Sequence, residues 1–200
     1  EDTLTFTNTT DPHFAENNAN AEIEGNFKRT NLVVGDTILF NNPYTFVIFN
    51  SDEDLGSVAS LTSSAFPRTY NQLPEGDQEK VERALALMAE DENGEEVLGG
   101  FNFDFHYGWR NAPTNEFIDE TNGLFIEDLV LQKWLQDEWI DLESEVPRAF
   151  LDNWASSYIE NLDETGIFAI GYPAQNAFNF SANFLLEGPY NTSRPGTMRD

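Results

Sequence analysis

The chain has 200 residues, enough for one domain whose fold buries roughly 70% of the surface its unfolded form exposes. Asp and Glu number 36 against 10 Lys and Arg, a formal charge of −26, and a field of that sign argues against nucleic acid and anionic lipid as partners. The absence of Cys excludes disulfides, thiolate metal sites and cysteine nucleophiles, while 40% apolar residues with 17 Phe argue against disorder.

Residues 3–7 alternate, with Leu4 and Phe6 on one side and threonines on the other, so a strand is expected. Asp11-Pro12 breaks it and an Asn-rich loop follows. Strands are expected over 21–30, 37–40 and 44–49, the last two separated by the turn signal Asn41-Asn42-Pro43. Residues 50–76 read as loop. A first helix is expected over 77–90, with Asp77 as N-cap and Val81, Ala84, Leu85 and Met88 on one face. The segment 97–107 is a strand with Phe101, Phe103, Phe105 and Tyr107 on one side. Two further helices are expected over 124–142, carrying Leu131, Trp134, Leu135 and Trp139, and over 147–162, carrying Phe150, Trp154, Tyr158 and Leu162. Strands return over 167–172 and 177–186, the latter with the cleanest period of two in the chain. Gly188-Pro189 ends it before a tail.

This order is not the regular alternation of a doubly wound fold. The expected class is α+β: an antiparallel β-sheet or sandwich with about three helices, two of them in an insertion before the last strands. The organisation is an N-terminal strand-like arm over 1–10 and a single globular acidic domain over 11–200. No apolar run reaches the ~18 residues of a spanning helix, so membrane insertion is not expected. The start at Glu1 rather than Met reads as a processed N-terminus.

Both histidines sit in the pattern Asp-x-His, as Asp11-Pro12-His13 and Asp104-Phe105-His106. On a strand, residues two apart share a face, so Asp104 with His106, and Asp11 with His13, are candidate metal ligands. The plainer reading is an Asp–His surface pair. Asp91-x-Asn93-x-Glu95 resembles the opening of an EF-hand loop but has Glu96 where the sharp turn needs Gly. Acidic clusters at 52–54, 119–120 and 163–164 make calcium the one cofactor the composition suggests. Solvated acidic loops are the bland alternative. No G-x-S-x-G, phosphate-binding glycine loop or H-E-x-x-H occurs, and the chain leans away from being an enzyme.

The run from His106 to Arg110 contains Tyr, Trp and Arg, the residues that dominate contact surfaces. Trp109 beside Arg110 is either a partner-binding pair or, for Trp109, a cap on the core at the end of a Phe-rich strand. Asn8, Asn179 and Asn191 each open an N-glycosylation triplet, at about the frequency chance gives. Leu4 and Phe6 are the candidate anchors of the arm, either as a first strand in its own sheet or as a strand added to a neighbour. The reading that unites these features is an extracellular or cell-surface structural subunit. It acts by self-association or partner binding, as a homo-oligomer or in a filament. A cation-dependent (calcium or zinc) binding module or hydrolase near Asp104, His106 and Trp109 is the alternative.

Overall fold

A computed structural model describes residues 3–7, 22–67, 79–111, 119–121, 123–149 and 154–173. In chain order the strands are β1 (Thr3–Phe6), β2 (Gly25–Thr30), β3 (Ile38–Leu39), β4 (Phe46–Ile48), β5 (Ser60–Pro67), β6 (Arg83–Glu90) and β7 (Phe103–Arg110). They continue with β8 (Val130–Leu135), β9 (Glu138–Asp141), β10 (Arg148–Ala149), β11 (Trp154–Leu162) and β12 (Gly166–Gly171). Helical structure among the described residues is limited to α1 (Asp52–Leu55) and a 3-10 turn at Ile126–Asp128.

The strands form two sheets. One is seven-stranded in the order β1-β2-β5-β6-β12-β8-β9, the other five-stranded in the order β10-β11-β7-β4-β3. Among the described residues every strand pairing is antiparallel except β1 on β2. The sheets pack face to face over one core, as a β-sandwich requires. Phe105 of β7 meets Phe168 of β12 at a centroid separation of 5.4 Å, and Phe27 of β2 meets Phe40 edge-on at 6.4 Å. The Phe-rich strand expected over 97–107 is present but shifted, running Phe103–Arg110 with Phe101 before it. Phe101, Phe103, Phe105 and Tyr107 are buried, and the alternation runs on to Trp109.

The expectation of an α+β class with about three helices is wrong. The segment expected as the first helix becomes β6 from Arg83 onward, with Asp77 outside the described residues. Its Ala, Leu, Met and Glu are strong helix formers, yet pairing to β5 on one side and β12 on the other overrides that preference. Inward Leu85, Leu87 and Ala89 are buried, and outward Met88 is 40% exposed. Because Ala86 and Met88 are also apolar, the period of two is faint in the sequence.

The second expected helix is the hairpin β8–β9. Its two-residue turn, Gln136-Asp137, has φ of 52° and 66° and joins paired Leu135 and Glu138. Both central residues at positive φ is the signature of a type I′ turn, whose usual Asn-Gly or Asp-Gly is missing here. Trp134 and Trp139, read as one helix face, are instead a cross-strand pair packed edge-on at 5.2 Å. The third expected helix becomes β10 and β11, where Trp154 and Tyr158 lie on the same strand face at a spacing of four. A spacing of four satisfies both a helix face and a strand face. The segment read as loop over 50–76 contains β5, whose inward Leu61 and Ala65 are buried while Thr62 and Ser64 lie on the other face. The expected strand over 177–186 lies outside the described residues.

Candidate functional site

Strand β7 is the centre of the five-stranded sheet and sorts the run from Asp104 to Arg110 by parity. Tyr107 and Trp109 point inward and are fully buried. The Trp109 indole is in the core, and its Nε1 has no hydrogen-bond partner among the described residues. Asp104, His106, Gly108 and Arg110 point outward. His106 stands between its cross-strand neighbours, stacked on Phe46 at 4.0 Å and tilted against Tyr158 at 4.3 Å. Burial lowers the His106 pKa from its usual value, against the charges of Asp104 and Glu145 and with a small push from Arg148. Asp104 shares this face with His106 but is already engaged. Its carboxylate accepts from Asn50 Nδ2 at 3.0 Å and from the Asn161 backbone N–H at 3.2 Å. Among the described residues no group of three or more His, Asp or Glu side chains gathers as metal ligands would. Asp11 and His13 lie outside the described residues, as do Asn8, Asn179 and Asn191.

Further along the same face, Gly108 lets Tyr44 cross the strand. A Cβ on Gly108 would come within 2.5 Å of Tyr44 Cβ and 2.8 Å of the Tyr44 backbone. Tyr44 then reaches Trp154 at 5.6 Å, and Arg110 lies over that indole at 4.2 Å. Arg110 is therefore a mostly buried cation, 8% exposed.

Arg110 belongs to a charged cluster that the sequence did not announce. Arg83 is fully buried and holds Glu120 through Nε and Nη2, both at 2.9 Å, while Nη1 is paired with Glu22. Glu120 also accepts from the Arg110 backbone N–H at 2.7 Å. Tyr107 closes the group from the core, its hydroxyl donating to the Arg83 carbonyl at 3.1 Å. Burial pushes the Glu120 carboxyl up, opposed by the Arg83 charge and its hydrogen bonds. Burial alone would lower Arg83, but two carboxylates and Tyr107 outweigh it and raise its pKa. A guanidinium whose three nitrogens each reach a carboxylate of Glu120 or Glu22 is a paired structural unit, not a free catalytic carboxylate. In the sequence Glu120 read as part of an acidic surface turn. The available signal was scarcity: in a chain with so few cations, each one has acids to choose from.

The loop at Asp91 is likewise built on its own acid. The Asp91 carboxylate accepts from the backbone N–H of Asn93 at 2.8 Å and of Glu95 at 2.9 Å, and these bonds lower its pKa. That is an Asx-type turn with Gly94 at φ 78°.

The remaining sequence-derived anchors are on β1. This strand lies at the edge of the seven-stranded sheet, paired in parallel with β2 from Thr3↔Asn26 to Phe6↔Arg29. Phe6 stacks on Phe27 at 4.9 Å, beneath the Arg29 guanidinium. Leu4 is 44% exposed. Beside β1, the outer sheet face forms an open groove of about 450 Å³, bordered by Thr3, Thr5, Asn26, Lys28, Thr62 and Ser64. Lys28 is paired with Glu90 within it. No protein-family model, curated protein or solved structure matches the chain, so the site is read from its own geometry.

Proposed function

We propose that the chain is a non-catalytic structural module of a cell surface or extracellular assembly, joined to copies of itself through β1. The observation that carries this reading is β1 itself. It is four residues long, lies at the edge of its sheet among the described residues, pairs in parallel, and has three of its four residues exposed. A parallel edge strand needs a long connection. Residues 8–21 supply one whose contour can extend roughly 50 Å, more than the roughly 16 Å radius of gyration of a domain this size. The same pairing, Phe6 on Phe27 and Leu4 beside it, can therefore be made with β2 of a neighbouring copy. Exchange of an identical element is a low-cost route to oligomers, and a head-to-tail version leaves an open filament. The buried ion pairs support a structural role, because Arg83, Glu22 and Glu120 are spent on one another.

The charge sets the conditions. At −26 two copies repel strongly, so association is expected to strengthen as salt screens them. Size-exclusion chromatography with light scattering tests the reading on the full chain and on a variant lacking residues 1–10. Concentration-dependent oligomers of the full chain, lost on deletion, are expected. A full chain that stays monomeric at every concentration and in molar salt removes the proposal.

A further inference from the structure

On the outer face of the seven-stranded sheet, an amine, a carboxamide and a carboxylate meet beneath an indole. Lys80 forms a bridge to Gly171 of β12, and its side chain crosses that glycine toward β8. The crossing needs glycine. A Cβ on Gly171 would sit 3.0 Å from Lys80 Cγ and 2.9 Å from Gln132 Oε1. Lys80 Nζ lies 2.5 Å from Gln132 Oε1 and 4.5 Å from the centre of the Trp139 ring. On its other side the Gln132 amide donates from Nε2 to Asp141 Oδ1 at 2.7 Å and to the Tyr172 carbonyl at 3.0 Å. Gln132 is fully buried, and Lys80 and Trp139 are each 5% exposed.

These are the parts of an acyl transfer. The nucleophile touches the acyl oxygen, and the leaving nitrogen is already hydrogen-bonded to a group that can carry a proton. Burial lowers the Lys80 amine to about 8, with the Asp141 charge opposing the shift. A useful fraction is therefore the neutral, nucleophilic form near neutral pH. Holding both reactants in one buried contact replaces a bimolecular encounter with a local one, where effective molarities reach roughly 10⁵ M or more. The reaction has to happen only once in each molecule, so a slow step suffices.

We propose that Lys80 and Gln132 become joined by an intramolecular amide cross-link that the folded chain forms unaided, with Asp141 as the proton carrier. Lys80 first gives up its extra proton to solvent. Neutral Nζ then attacks Gln132 Cδ, and the Nζ–Cδ bond forms. Asp141 takes the proton released by the attacking nitrogen and delivers it to Nε2. The Cδ–Nε2 bond breaks, ammonia leaves and picks up a proton from water, and Oε1 remains as the new amide oxygen. No oxidant, metal or second substrate is consumed. The product ties the segment leading into β6 to β8 across β12, closing a covalent loop over residues 80–132. Trp139 covers the bond against hydrolysis. Such a staple supplies to a chain without Cys what a disulfide supplies elsewhere.

Mass spectrometry of the full chain tests this directly. The folded protein, held at pH 9 and then denatured, is expected to be lighter than its sequence mass by one ammonia. Proteolysis is expected to yield a branched peptide joining Lys80 to Gln132. D141A and K80R are each expected to show the full sequence mass and no branched peptide, with wild-type circular dichroism confirming that they fold. If the wild-type protein keeps its full mass after that incubation, the cross-link does not form. Loss of ammonia without the branched peptide overturns it equally, because an Asn elsewhere has then reacted. A branched peptide that persists in D141A sinks the assigned role of Asp141.

Discussion

Replacing Arg83 with Met removes the guanidinium that neutralises two acids at once. The Arg83 side chain is 0% exposed, and its partners Glu120 and Glu22 are 1% and 10% exposed. Breaking a buried pair from one side costs about 3–5 kcal/mol, because the surviving carboxylate stays buried without its counter-charge. Arg83 leaves two such carboxylates, with Arg110 nearest to Glu22 at 3.9 Å. The upper half of that range is therefore expected. For a domain of this size each kcal/mol moves Tm by about 2–4 °C, so R83M is expected to melt about 10 °C or more below the wild type. Urea unfolding followed by Trp fluorescence reads the loss as a lower midpoint with the slope unchanged. Arg148 is the control. Its pair with Glu145 is 73% and 51% exposed, and R148M is expected to stay within about 0.5 kcal/mol of the wild type. An R83M loss below about 1 kcal/mol, or one no larger than that of R148M, refutes the reading of this cluster as a buried structural unit.

G108A forces a methyl into the Tyr44 backbone and is expected to cost about 2 kcal/mol or more by urea unfolding; unchanged stability contradicts the close crossing of Tyr44 over β7. Raising sodium chloride from about 0.01 M to 1 M shortens the Debye length from about 30 Å to 3 Å, so Tm in a calorimeter is expected to climb, and a flat or falling Tm contradicts self-repulsion as a dominant surface term. His106 is expected to titrate below 6.5 by NMR, since burial between Phe46 and Tyr158 disfavours the cation. The unfolded chain then binds that proton more readily than the folded one. This group's contribution accordingly falls as the pH drops through 6.5, and a His106 pKa at or above 6.5 rejects the packing argument.

The strand content of the first fifty residues and the inward Phe row were legible because each carries its own alternation. Four strand regions were not, and the reasons differ: β5 interrupts its inward apolar row with the buried Ser63. On β6 both faces are apolar, so the outward Ala86 and Met88 hide the period. In the β8–β9 hairpin the turn is Gln136-Asp137, which has neither the Gly nor the Asn that usually marks positive φ. On β11 Trp154 and Tyr158 match either period. On β6, β8 and β11 a partner strand also comes from far away in sequence, as when β12 inserts between β6 and β8. The candidate sites divide the same way. Asp104 and His106 do share a face, as a spacing of two on a strand requires. The Arg83 and Lys80 clusters depend on long-range meetings, with Glu120 and Gln132, that no local spacing encodes.

Assembly through β1 depends on whose β2 holds it. Thr5 and Lys28 face each other across the β1–β2 pairing, and the chain has no Cys to interfere. Paired strands place such Cα atoms within disulfide range. The oxidised T5C/K28C variant on a non-reducing denaturing gel therefore reports the partner directly. Covalent dimers and higher multimers, collapsing to monomer on reduction, are the predicted result. A single monomeric band, closed within one chain at every protein concentration and salt, contradicts assembly through β1.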